Sequence, residues 1–295
     1  MAGEYGQSPA PWKDKPRTVV GSVRYALPRP AVSAYCSALL AWGEFVSPST
    51  DWIPAMDAQI LICRRGTAAL KTRAGETIAL PDHAFVGPLS GATRLVATRD
   101  YLAEGIVLRA SGLQLAIGRN SAEAFVDQAL DLGDVLSAEL LTPLHETCQA
   151  ATNHADIWSA LEHLIERASE GSWQAPLRHF HVVDGWINGS VNPSVPLLSS
   201  ALGLSARQAG RIVCATYGFA PKILSMRRRA RVAAESLVVG DAGADPSIYD
   251  AFYDQSHLIR DIRRFIGSTP AQLARGETLA HQAISAARQA GASLI

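Results

Sequence analysis

The chain has 295 residues, 48% of them hydrophobic, which is enough apolar material for one large domain or two ordinary ones. The 27 basic and 27 acidic side chains balance overall, but residues 177–275 hold 12 basic against 7 acidic ones, which leaves 15 against 20 elsewhere. This asymmetry suggests that the C-terminal part is the one that meets a polyanionic partner. The four scattered cysteines argue against a disulfide framework or a zinc knuckle, and the absence of both a leading apolar run and a membrane-length segment predicts a cytoplasmic protein.

The first part of the chain has a β-like texture. Residues 1–18 combine three prolines with Gly, Ser and Lys, which predicts a disordered tail. From residue 19 to residue 115, short apolar runs alternate with turn signals such as Arg65-Gly66 and Ala74-Gly75. This spacing predicts a sandwich or a small barrel. We expect residues 19–170 to form one domain.

Between residues 121 and 170 the apolar pattern changes to a helical period. Two amphipathic helices are predicted, with apolar faces that include Leu136, Leu144, Leu161 and Ile165. Such a pair usually packs on its own domain, and a seam between two copies of the chain is the alternative. Residues 171–176 are interpreted as a linker, and the rest of the chain is predicted to be helical, including a C-terminal helical tail over 276–295.

An internal repeat in the last hundred residues is the strongest pattern. Arg211, Gly218 and Pro221 recur with the same offsets in a second copy, which begins at Arg260, 49 residues later. Each copy predicts a helix, a tight turn and a second helix, with Gly203 in the first turn. The second helices are predicted from Ala206 to about Tyr217 and from Gln255 to Ile266, ended by Gly218 and Gly267. Ser205 and Gln208 form a capping-box pattern before one second helix, and Asp254 can cap the other.

In a helix-turn-helix unit the start of the second helix contacts base edges in the major groove. Arg and Gln are the side chains suited to bidentate contacts with guanine and adenine. A helix of about 18 residues between the copies carries four arginines, and its length of roughly 27 Å suits two readers about one DNA turn apart. We expect one or two of these arginines to pack or pair with acidic groups and the rest to be solvated. The predicted DNA-binding residues are Arg207, Gln208, Arg211, Gln255, Ser256, His257 and Arg260.

These residues resemble a known family. The segment from Phe252 to Arg260, followed by Gly267-Ser268-Thr269-Pro270, is similar to the AraC-type (AraC/XylS) transcription regulators. The resemblance covers residues 177–275 and implies two helix-turn-helix subdomains that bind adjacent major-groove segments of double-stranded DNA. Pro246 and Ala251 depart from the family pattern, and the sequence leaves open how strongly the second unit binds.

The resemblance extends weakly to the N-terminal half, where it implies a cupin-like sensing domain. The expected fold is therefore α+β: a β-rich, cupin-like barrel or sandwich with trailing helices, followed by an all-α double helix-turn-helix domain. Five aromatic residues are candidates for an effector pocket, with core packing as the alternative use of each: Trp42, Phe45, Trp52, Phe85 and Tyr101.

The expected function is a sequence-specific transcription regulator that responds to a small-molecule effector. A homodimer and a contact with RNA polymerase are further partners consistent with this interpretation. His179 and His181 resemble half of a metal site, but no matching Cys, His or carboxylate group is evident, so neither a metal nor a cofactor is predicted. Asp254, Ser256 and His257 are too crowded on one helix start to form a catalytic relay. Two alternatives remain, namely a β-barrel enzyme with a degenerate helix-turn-helix module and a ligand-binding interaction protein. The sequence does not identify the effector, the target DNA or the direction of regulation.

Overall fold

A computed structural model describes residues 22–43, 45, 49–171, 177–240 and 247–292. The predicted tail over 1–18, most of the predicted linker and Pro246 lie outside these residues. Ten strands occupy the N-terminal half, at β1 Ser22–Ala26, β2 Cys36–Gly43, β3 Ser49–Ile53, β4 Gln59–Arg65, β5 Ala68–Lys71, β6 Thr77–Ala79, β7 His83–Val86, β8 Thr93–Ala97, β9 Leu102–Leu108 and β10 Ala129–Asp131.

The strands form two antiparallel sheets that share an apolar core. One sheet has the order β1-β2-β9-β4-β7-β10 and the other has the order β3-β8-β5-β6. Leu40 and Leu61 from the first sheet and Leu70 and Leu95 from the second are buried in the same cluster. Alternation along β8, where Thr93, Leu95 and Ala97 are buried between exposed neighbours, leaves one face of the smaller sheet in solvent.

Three helices belong to this half: α1 Ala110–Ile117 lies between β9 and β10, and α2 Ala138–Ala150 and α3 His154–Ser169 follow β10. The apolar faces of α2 and α3 pack against the larger sheet, where Leu144 and Leu161 join Ile60 and Ile106 in a second core. The indole of Trp158 donates a hydrogen bond of 2.9 Å to the Leu40 carbonyl oxygen. The predicted pair of amphipathic helices is therefore confirmed, and its apolar faces are used within the domain.

The C-terminal part contains helices and no strand in the residues described. Its helices are α4 Leu177–Asn188, α5 Val195–Leu202, α6 Ala206–Tyr217, α7 Pro221–Val239, α8 Ser247–Asp250, α9 Gln255–Ile266, α10 Pro270–Arg275 and α11 Leu279–Gln289. The bounds of α6 and α9 agree with those predicted from the capping residues and glycines. Together with the two sheets, these helices confirm the predicted α+β fold.

The two halves share part of their core. Leu279, Ile284 and Ala287 of α11 are buried in the same cluster as the interior of the two sheets. Phe265 of α9 packs with Ala55, which follows β3. The predicted C-terminal tail is thus a packed helix that joins the β-rich half to the helical half. Within the described residues, no helix combines the length and apolar character needed to cross a membrane.

Candidate nucleic-acid interface

The first helix-turn-helix unit consists of α5, a turn and α6. Gly203 ends α5 with a positive φ of 67°, a conformation that costs glycine little. The Ser205 hydroxyl accepts a hydrogen bond from the Gln208 amide, and the Gln208 side chain accepts one from the Ser205 amide. This reciprocal cap fixes the start of α6 at the residues that are expected to contact DNA.

The second unit consists of α8, a turn and α9. The Asp254 carboxylate accepts hydrogen bonds from the Ser256 hydroxyl at 2.6 Å and from the His257 amide at 2.8 Å. These two donors, the Ser256 hydroxyl first, lower the pKa of Asp254. The anionic cap fixes the start of α9, and Gly267, at a φ of 87°, ends it.

Most of the predicted reading residues are exposed at the helix starts. Those with exposed side chains are Arg207, Gln208, Arg211, Gln255, Ser256 and Arg260. His257 differs because its side chain is only 32% exposed and its ring lies 3.5 Å from the Arg229 guanidinium. His257 is therefore oriented toward α7 more than toward solvent.

Gln208 has a divided role. Its amide oxygen accepts hydrogen bonds from both the amide and the hydroxyl of Ser205. A bidentate contact with adenine needs the oxygen and the nitrogen of the same side-chain amide. While the cap is intact, Gln208 can offer a base only its side-chain nitrogen. The nearby arginines are therefore the better candidates for bidentate base contacts in this unit.

The arginines of α7 are more deeply buried than predicted. Arg227, Arg229 and Arg231 are buried and pair with Asp57, Asp261 and Glu235 respectively. The expectation that only one or two would pack or pair is therefore wrong, because α7 runs through the shared core and not along its surface. Burial lowers the pKa of Arg227 and raises that of Asp57, each opposed by the charge of its partner.

The N-terminal half contacts the C-terminal ends of α6 and α9, the two candidate recognition helices. The Gln114 side chain donates to the Ala215 carbonyl oxygen of α6 at 3.5 Å. The amides of Ala92 and Ala55 donate to the carbonyl oxygens of Arg264 and Phe265 at 2.8 and 2.7 Å. These contacts fill acceptors that a helix end leaves without partners. The sequence contained no local signal for them, since their donors lie about a hundred residues or more away along the chain.

The structure does not bring the five aromatic candidates together. Trp42 and Tyr101 line a cavity of about 20 Å³ between the sheets, and Phe45 stacks near Tyr101 with ring centres 6.4 Å apart. Phe85 lies on the other side of the larger sheet, against Phe125. Trp52 is half-buried at the junction with α9. The cavity has room for about one water molecule, so side chains fill the interior of the sheets in this conformation.

Comparisons with known proteins give likenesses only among solved structures. No family model matches the chain, and no curated protein matches it. ToxT from Vibrio cholerae is 7% identical, with a TM-score of 0.44 over 89% of this chain and 100% of that one. ToxT from the same organism with bound unsaturated fatty acid is 9% identical, with a TM-score of 0.44 over 90% of this chain and 98% of that one. The AraC-like activator CuxR is 13% identical, with a TM-score of 0.25 over 65% of this chain and 79% of that one. With scores below 0.5, functional conclusions rest on the residues of the chain itself.

Proposed function

We propose that the protein is a sequence-specific, DNA-binding transcription regulator and not an enzyme. The observation that supports this most directly is the pair of capped helices, α6 and α9, whose starts each present an exposed arginine at the same distance from a terminal glycine. Arg211 precedes Gly218 and Arg260 precedes Gly267 by seven residues. Guanine is the base that an exposed arginine contacts best in the major groove.

The connection between the two helices suits a duplex. Helix α7 has 19 residues and is therefore about 28 Å long, which is close to one turn of DNA at roughly 34 Å. The burial of its arginines makes it a rigid spacer and removes most of them from phosphate contacts. Phosphate contacts are then expected from amides at the helix starts and from exposed basic residues nearby.

The N-terminal half is proposed to regulate DNA occupancy. It contacts the C-terminal ends of both recognition helices, so a change in its conformation would alter the spacing of the two readers. A small-molecule effector is the proposed cause of such a change, acting on the sheets or on the junction. Homodimer formation and a contact with RNA polymerase remain proposals for the assembled regulator.

The experiment is a selection of bound sequences from a pool of randomised duplexes, followed by titrations over a salt series. We expect an enriched site with two half-sites about 10 base pairs apart, and binding that weakens steeply with salt. A full-length, folded protein that enriches no sequence and shows no salt-sensitive binding would contradict the proposal.

A further inference from the structure

We propose that the smaller β-sheet itself contacts the DNA backbone, alongside the second recognition helix. This inference rests on the proposed DNA binding and adds a second phosphate-binding surface, in the half of the chain expected to sense an effector. The surface, here called the basic strip, joins the exposed face of the sheet to the outer side of α9. It consists of Lys71, Arg73, Arg94, Arg260, Arg263 and Arg264, all of them exposed.

The register of the sheet places like charges side by side. Trp52 of β3 pairs with Arg94 of β8, and Arg94 pairs in turn with Lys71 of β5. Like charges directly opposite on neighbouring strands destabilise a sheet. Arg73 follows β5, and its guanidinium carbon and that of Arg94 lie 4.7 and 5.2 Å from the centre of the Trp52 ring. The ring orients these cations, and a bound polyanion would offset their repulsion.

The strip is continuous with the residues proposed to read bases. Arg263 and Arg264 lie three and four residues after Arg260, so the three are neighbours on the surface of α9. The Arg73 guanidinium donates a hydrogen bond to the Arg263 carbonyl oxygen, which brings the sheet to the end of the helix. Burial and the charge of Arg263 lower the pKa of Arg73, as expected of cations held close together.

No carboxylate neutralises the strip within the part of the chain that the structure describes. None of its six side chains forms an ion pair with an acidic group there. The nearest acid on β3, Asp51, uses its two carboxylate oxygens to accept hydrogen bonds from the Trp52 amide at 2.7 Å and the Leu279 amide at 2.8 Å. Glu76 is exposed in the hairpin between β5 and β6 and forms no ion pair with the strip.

The carbonyl groups at the C-terminal end of α9 already have hydrogen-bond donors, which reduces their repulsion of an anion. A helix C-terminus normally presents partially negative carbonyl groups, which repel phosphate. Here Arg73 and the amides of Ala92 and Ala55 bind the carbonyl oxygens of Arg263, Arg264 and Phe265. A phosphate approaching this end would therefore meet guanidinium groups. The C-terminal end of a recognition helix contacts the DNA backbone in other helix-turn-helix proteins.

The test compares Lys71→Ala/Arg94→Ala with the unaltered protein, using the selected duplex and a duplex of arbitrary sequence. Two lost phosphate contacts should reduce the slope of log K against log salt by about 1.8, and weaken binding roughly 30-fold at about 0.15 M salt. Because phosphates carry no sequence information, the loss should be equal on both duplexes. Arg167→Ala, on α3 across the larger sheet, is the control and should leave the slope unchanged.

The outcomes separate this inference from the proposed function. If the unaltered protein binds duplexes and the double variant binds them with the same slope and affinity, the sheet does not contact DNA, although the regulator assignment stands. A double variant that loses affinity only for the selected duplex would likewise overturn the inference, because lost phosphate contacts should weaken binding to both duplexes. If the unaltered protein binds no duplex, both proposals fail. Circular dichroism and the melting temperature establish that the variants are folded.

Discussion

Arg211 is the side chain whose removal most directly tests base reading by α6. It is exposed one turn after the helix start, and the cap leaves it free to reach a base edge. We expect Arg211→Ala to cost about 1–3 kcal/mol at the selected site, because a bidentate contact with guanine is lost. Titration of the variant with selected and arbitrary duplexes measures this, and the arbitrary duplex should lose much less. Unchanged preference for the selected site would remove Arg211 from the readers.

Arg229 and Asp261 form a buried pair that joins α7 to α9. Their side chains are 5% and 2% exposed. Asp261→Ala would leave the guanidinium buried without its partner, and we expect a loss of about 3–5 kcal/mol in the free energy of unfolding. Urea denaturation measures it. Glu277→Ala, which removes the exposed partner of Arg275, is the control and should cost about 0–1 kcal/mol. Equal losses of stability in the two variants would contradict a stabilising role for the buried Arg229–Asp261 pair.

Residues with partners nearby in the sequence could be predicted, and residues with distant partners could not. Ser205, Gln208 and Asp254 accept hydrogen bonds from amides three residues away, so their capping roles are visible in the local order of residues. The partner of Arg227 is Asp57, 170 residues earlier, and no local pattern connects them. The exposed DNA-binding candidates on α6 and α9 could therefore be predicted from the sequence, whereas the burial of the three α7 arginines could not.

Two glycines that end helices have the same left-handed backbone conformation but different surroundings. Comparing them distinguishes the cost of the conformation from the cost of a steric clash. Gly203 ends α5 and Gly267 ends α9, at φ values of 67° and 87°. A Cβ on Gly203 would meet no atom within 4 Å, whereas one on Gly267 would lie 2.5 Å from the Trp52 Cβ. Gly203→Ala should cost about 1–2 kcal/mol for the left-handed conformation alone. Gly267→Ala should cost roughly 1–3 kcal/mol more, because α9 must move away from the sheet.

Thermal or urea unfolding of the two glycine variants measures these costs, and DNA titration adds a functional readout. Because α9 is displaced, the Gly267→Ala variant should bind DNA more weakly even under conditions where both variants are folded. Equal destabilisation by the two substitutions would show that α9 is not pressed against Trp52. The sequence predicted both glycines as helix ends, but the contact of one of them with β3 depends on long-range packing.

The packing of α11 bears on whether the two halves behave as separate domains. Sequence patterns divided the chain near residues 171–176 and left 276–295 as a tail. In the structure α11 packs on β1, β3 and α7, and its buried face is in the core of the two sheets. A pattern of alanines at helical spacing predicts a helix, but it does not identify the surface that the helix covers. The division of the chain near residues 171–176 therefore predicted the secondary structure of each part, but not that the two parts share a core.

This arrangement predicts that the two halves unfold together. Ile284 of α11 is 2% exposed, so Ile284→Ala should lower the free energy of unfolding by about 2–5 kcal/mol. Because the same core includes Trp42, tryptophan fluorescence and far-ultraviolet ellipticity should shift by the same amount in one transition. Trp42 and Trp52 of the sheets contribute to this fluorescence together with Trp158 and Trp186 of the helices. Arg288→Ala, on the exposed side of α11, should change stability by no more than about 0.5 kcal/mol. Two separate transitions, with Ile284→Ala moving only the helical one, would show that the C-terminal module is stable without the sheets.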